Sequence, residues 1–179
     1  MAHATATKVG KPAPALDLPD TAGDLHSLPE VGEAPATVVF WTCNHCPYAL
    51  AWHERLVQAA RDYSPSGVRF LAVNSNDAAR YPRDSLEAMR ERVAAEEWPF
   101  AYLHDESQEA AAAWNAQVTP HLYVLDSDLR VRYEGAPDAD HMDPALNAGW
   151  LREALDAVLA GEAPARAATE PVGCSIKWR

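Results

Sequence analysis

The chain has 179 residues, enough for one domain with a substantial core and short for two. Apolar residues make up 48 % and charged residues 23 %, as in soluble globular proteins, and no apolar run approaches the roughly 20 residues that cross a bilayer. The net charge of −11 argues against binding to nucleic acid or an anionic membrane surface, because both polyanions are repelled.

Met1–Lys8 lacks the apolar centre of a secretory leader, so the expected location is cytoplasmic. Residues 9–35 are rich in Pro, Gly and Asp and read as loops with short extended pieces. Ala36–Trp41 is a continuous apolar run, the pattern of a buried central strand. Cys43-Asn44-His45-Cys46 follows at once. From Pro47 the pattern turns helical, with Trp52, Leu56, Ala59 and Tyr63 on one face and Ser64-Pro65-Ser66-Gly67 as the stop. Residues 68–74 (VRFLAVN) read as a second strand.

Asp84-Ser85-Leu86-Glu87 has the form of a capping box opening a helix, with Leu86, Met89 and Val93 as its apolar face. Residues 100–104 suit a short strand. Asp105–Trp114 suits a short helix capped by Asp105 and Gln108. His121–Asp126 and Leu129–Glu134 suit a hairpin turning at Asp126-Ser127-Asp128. Asp143-Pro144 reads as the start of the last helix, whose stripe is Leu151, Ala154, Leu155, Val158 and Leu159 and whose stop is Gly161. The expected organisation is one domain over residues 1–161 and a nonhelical tail, 162–179, containing Cys174. The order β-α-β-α-(β)-α-β-β-α implies an α/β fold, a central mixed sheet flanked by helices.

Three cysteines are too few for a disulfide scaffold. A CxxC between a strand and a helix is a redox or metal motif, since a thiol at a helix start feels the positive end of the helix dipole and the thiolate is the reactive form. Structural zinc normally needs four ligands, and no second CxxC supplies them.

Three stretches resemble one family. Val9-Gly10-Lys11-Pro12-Ala13-Pro14 with Asp20 and Gly23, the run Phe40-Trp41-Thr42-Cys43-Asn44-His45-Cys46-Pro47, and Val118-Thr119-Pro120 together resemble the thioredoxin fold in its peroxiredoxin-like (redoxin) branch. The helix and strand between residues 82 and 104 fit the redoxin insertion, and the N-terminal stretch fits its extension. Asn74-Ser75-Asn76-Asp77, Tyr81-Pro82 and Gly173–Trp178 resemble a group of bacterial peroxiredoxin-like proteins. The resemblance implies a cis peptide bond between Thr119 and Pro120, facing the CxxC.

On this reading the chain is a thiol–disulfide oxidoreductase. Cys43, ahead of the helix and expected to be the more exposed sulfur, attacks a substrate disulfide; Cys46, one turn on, resolves the mixed disulfide. In related folds a His placed like His45 stabilises the nucleophile's thiolate, by adding positive charge near the sulfur; a solvated His at a helix start is the alternative. Trp41 is either a wall of the substrate groove or core packing. Asn74, Asn76 and Asp77 end the second strand on the side where open α/β sheets carry function, or simply form turns. Cys174 is either a third thiol, resolving or swapped into a partner subunit, or a free tail cysteine.

Two other functions are open. In a thiol peroxidase of the well-known classes, Pro and Thr or Ser stand seven and three residues before the peroxidatic Cys. Ala36 and Phe40 hold those positions for Cys43, and Val39 and Cys43 hold them for Cys46, so the peroxide-activating motif is absent. A copper- or zinc-binding protein would use Cys43, Cys46 and His121. The oxidoreductase needs no cofactor, since the sulfurs carry the electrons. Its expected partners are protein or small-molecule disulfides and thiols, and a thioredoxin- or glutathione-type reductant.

Overall fold

The computed structural model describes residues 8–179. The expectation about a leader rests on Met1–Lys8, and all of that stretch but Lys8 lies outside the described residues.

β1 (Asp17–Pro19) and β2 (Leu25–Ser27) form an antiparallel hairpin. Its turn is held by Asp20, which accepts the backbone N–H of Ala22 and Asp24. β3 (Ala36–Trp41) leads through the CxxC into α1 (Pro47–Tyr63), and β4 (Arg69–Asn74) returns parallel to β3. α2 (Leu86–Glu96), β5 (Ala101–His104) and α3 (Glu109–Trp114) follow. β6 (Val118–Thr119), β7 (His121–Asp126) and β8 (Val131–Gly135) precede α4 (Gly149–Leu159) and β9 (Cys174–Ser175).

The sheet order is β5-β4-β3-β7-β8, with β3, β4 and β5 parallel and β7 and β8 antiparallel to their neighbours. This is the mixed sheet of the thioredoxin fold, with α2 and β5 as the expected insertion. β3 is buried at every position because both faces are covered. Period-two alternation splits it: Val38 and Phe40 pack with residues of α1, α2 and α4, while Val39 and Trp41 pack with Trp114, Tyr123, Leu16 and Ile176. Among the described residues no helix is long and apolar enough to cross a membrane.

Three boundaries differ from expectation. α2 starts at Leu86 with Ser85 as its cap, the Ser85 hydroxyl accepting the Ala88 N–H; Asp84 is turned inward. α3 starts only at Glu109, although Asp105 still reaches the N–H groups of Ala110 and Ala111. α4 starts at Gly149, six residues after Asp143, because Arg55 and Asp138 bind the intervening chain in an irregular loop.

Candidate active site

The CxxC lies where β3 ends. Pro47 takes the first helical position, where its missing N–H costs nothing, so the chain turns into α1 directly after Cys46, the N-cap residue. β7 runs antiparallel to β3 with Trp41 opposite His121, so the residues after Trp41 meet those before His121. There the Thr119–Pro120 bond is cis. Cys43 Sγ lies 3.4 Å from Thr119 Oγ1, and the Cys46 thiol donates to the Thr119 carbonyl at 3.1 Å.

Cys43 and Cys46 are 1 % and 0 % exposed, so the expectation that Cys43 is the more exposed sulfur does not hold. Ala49, Tyr48 and Cys174 pack around the pair. The closeness of Cys46 pushes the Cys43 thiol up, as do burial and the charge of Asp84. The closeness of Cys43 brings Cys46 down to about 4 against its burial, helped by Cys174, the Thr119 hydroxyl and the Ala49 N–H. A hydrogen bond to a charged group is worth about 1.5–3 kcal/mol, or about one to two pKa units. Of the two thiols Cys46 is thus the more acidic and Cys43 the less.

Asp84, missed by sequence reasoning as a site residue, is 1 % exposed. Oδ1 accepts Asn44 N–H at 2.7 Å and Asn74 Nδ2 at 3.2 Å; Oδ2 accepts Asn76 Nδ2 at 2.9 Å and lies 2.5 Å from His45 Nδ1. The capping-box pattern hid it, since Asp, Ser and Glu at these spacings satisfy a helix start equally well. Asn74 and Asn76 are thus both buried carboxylate ligands, while Asp77 joins the tail by donating its N–H to Lys177 O. His45 is stacked on Tyr81, with ring centroids 5.5 Å apart. Arg92, lying over Trp98, donates to the Cys43 carbonyl at 3.1 Å and fixes the loop from α2.

Trp41 and His121 lie elsewhere. Trp41 is fully buried, donates to Ser75 Oγ at 2.9 Å and packs on Trp114 and Tyr123, so it is core and not a groove wall. His121 is 3 % exposed, stacks on Tyr123, accepts the Gln117 N–H on Nδ1, and is brought down to about 4 by burial. Among the described residues the cluster of possible metal ligands is Cys43, His45 and Asp84, whose donor atoms lie within 4.8 Å of one another, and it does not include His121. At 2.5 Å, His45 Nδ1 and Asp84 Oδ2 are closer than the roughly 3.3 Å between two ligands of one tetrahedral ion with bonds near 2.0–2.1 Å. As arranged, the two atoms leave no room for an ion bound to both.

The tail returns to the site. β9 pairs antiparallel with β6, Cys174 opposite Thr119, and Lys177 N–H donates to Asn76 Oδ1 at 2.9 Å. Cys174 thereby packs against the Cys43–Cys46 pair.

None of the curated proteins compared matches the sequence. Among solved structures, an uncharacterized conserved protein from Geobacillus kaustophilus is 40 % identical, with a TM-score of 0.90 over 96 % of this chain and 92 % of that one. A hypothetical protein from Sinorhizobium meliloti 1021 is 35 % identical, with a TM-score of 0.91 over 97 % and 96 %. A peroxidoxin from Mycobacterium tuberculosis shares the fold at 14 % identity, with a TM-score of 0.65 over 87 % and 98 %. The model of the AhpC/TSA family matches residues 9–134, and the chain belongs to that family.

Proposed function

We propose that the protein is a thiol–disulfide oxidoreductase that cycles a Cys43–Cys46 disulfide. The observation that carries this reading is the pair of buried sulfurs, Cys43 and Cys46, packed together and both in contact with Thr119 beside the cis Thr119–Pro120 bond. Cys43 lies ahead of the helix and Cys46 caps it, so Cys43 takes the attack on substrate and Cys46 the resolving step. As Cys43 Sγ bonds to one sulfur of a substrate disulfide, its proton passes to the neighbouring Cys46 thiolate, and the first product thiolate leaves. Cys46 then attacks Cys43; the Cys43–Cys46 bond forms, and the second product leaves as a thiol carrying the Cys46 proton. The substrate disulfide gains two electrons and the protein dithiol loses them.

His45 acts on Cys43 through Asp84. Its approach to the carboxylate offsets a negative charge that otherwise holds the Cys43 proton in place. His45→Ala leaves that charge uncompensated and slows the attack.

The test is trapping. Reduced Cys46→Ser, mixed with a protein disulfide and with hydrogen peroxide in separate reactions, is expected to hold a mixed disulfide on Cys43 in the first. Trapping on Cys46 in Cys43→Ser, with none on Cys43 in Cys46→Ser, reverses the two roles. Rapid peroxide turnover without disulfide exchange overturns the oxidoreductase reading in favour of a peroxidase.

A further inference from the structure

The C-terminal strand carries more than packing. Ile176 is 3 % exposed and donates its N–H to Gln117 O at 3.2 Å. The Lys177 carbonyl accepts from Asp77 N–H at 2.8 Å and from Gln108 Nε2 at 2.9 Å. Gly173 sets the approach: a Cβ there would lie 2.0 Å from Thr119 O and 2.6 Å from its carbonyl carbon, so only glycine lets the tail close on the cis-Pro loop. The next residue is Cys174, half-buried, beside a Cys43–Cys46 pair that is fully buried.

Building on the Cys43–Cys46 cycle, we infer that Cys174 is a third redox thiol, which takes over the disulfide by attacking Cys46 and so moves it from the buried pair to the half-exposed edge of the site. The Cys174 thiolate attacks Cys46 Sγ; the Cys46–Cys174 bond forms, the Cys43–Cys46 bond breaks, and Cys43 leaves as a thiolate. Cys174 gives up a proton and Cys43 takes one up. The number of disulfides is unchanged and no outside oxidant enters. A reductant then meets Cys174, the sulfur at the half-exposed tail edge.

The timing follows from charge. In the reduced protein Cys174 is held up at about 11 by burial, by the closeness of the Cys46 thiolate and by the Cys46 charge, against a pull from Lys177. Oxidation of the CxxC pair removes the Cys46 thiolate and with it two of those three causes. Cys174 becomes more acidic just when its target disulfide appears, which favours exchange in the oxidised state.

The experiment oxidises the full-length chain with one equivalent of a thiol oxidant and maps disulfides by non-reducing peptide mass spectrometry, in wild type, Cys43→Ser, Cys174→Ser and Gly173→Ala. Wild type is expected to show Cys43–Cys46 and Cys46–Cys174 bonds in a ratio that becomes constant with time. Cys43→Ser is expected to form Cys46–Cys174 within one chain. Gly173→Ala is expected to lose about tenfold of the Cys46–Cys174 bond, through a lower effective concentration of the tail thiol, while keeping Cys43–Cys46. A normal Cys43–Cys46 bond in Cys174→Ser, with no Cys46–Cys174 bond in wild type or Cys43→Ser, overturns the relay and leaves the CxxC cycle intact. Absence of Cys43–Cys46 from Cys174→Ser overturns the CxxC cycle and the relay together.

Discussion

Two buried aspartates stand at opposite ends of the chemistry. Asp138 accepts Trp52 Nε1 at 2.7 Å, Arg55 Nη1 at 2.8 and 2.9 Å, and Ala148 N–H at 2.8 Å. Its charge is matched by a guanidinium that stays cationic at any ordinary pH, and that also binds the carbonyls of Asp140, His141 and Asp143. Asp84 has only neutral donors, a backbone N–H and two amides, with the His45 imidazole against it, and its field falls on Cys43. The same carboxylate is structural where a fixed cation balances it and reactive where a titratable ring and a thiol share its charge.

The largest effect should come from breaking the balanced corner. Asp138→Ala leaves Arg55 as a part-buried cation without its partner and strands the Trp52 N–H, at a cost of about 3–5 kcal/mol in chemical denaturation. Disulfide formation by Cys43 and Cys46 in the remaining folded protein should be unchanged. A loss of disulfide chemistry equal to that of an Asp84 variant would erase the distinction between the corners.

Acid should separate the corners next. His121, behind the cis-Pro loop, titrates at about 4 when folded, below the ordinary His value, because burial disfavours its charge. Between those values the unfolded chain binds more protons than the native one, so stability is full above about 6.5 and falls as pH drops toward 4, by about 3 kcal/mol for this group. His53, buried near Arg92, shifts the same way and adds to the slope. His121→Asn should flatten the pH dependence of the denaturation midpoint across that window, and an unchanged slope would remove His121 from the acid response.

Asp84→Asn should cost less and reveal more. The amide places a donor against Asn76 Nδ2 or His45, at about 1–3 kcal/mol. It also removes a charge that holds the Cys43 proton, so the thiol becomes more acidic. Ultraviolet thiolate absorbance against pH should show a larger thiolate signal in Asp84→Asn than in wild type, and no such gain in Asp138→Asn.

How far the sequence led depends on whether a residue's neighbours are local. Ala36–Trp41, the CxxC and Pro47 announce themselves by apolar run, spacing and a residue that begins helices, and all three fall where read. Thr119-Pro120 needed the family resemblance to be placed opposite the cysteines. The start of α4 was misread at Asp143-Pro144, since the loop's geometry is dictated by Arg55, far away in sequence. β9 has two residues and no period to read; it exists because Gly173 fits against Thr119. The Trp41 reading stood open because exposure is a property of the folded chain.

Ser85 supplies the smallest effect and the cleanest contrast, because it adjoins Asp84 in the chain yet belongs to a different interaction. Its hydroxyl accepts the Ala88 N–H at 3.2 Å, satisfying one of the orphan donors of α2. Ser85→Ala should therefore cost about 1 kcal/mol of stability, the ordinary worth of an N-cap. The thiols should not respond, since the hydroxyl faces the helix and Asp84 keeps its donors from Asn44, Asn74 and Asn76. If Ser85→Ala shifts the thiolate profile as Asp84→Asn does, the two residues act as one capping unit, and the sequence pattern over residues 84–87 describes the site better than the separate roles assigned to them. If stability alone moves, Asp84 has left the helix for the cysteines, and α2 starts on serine by itself.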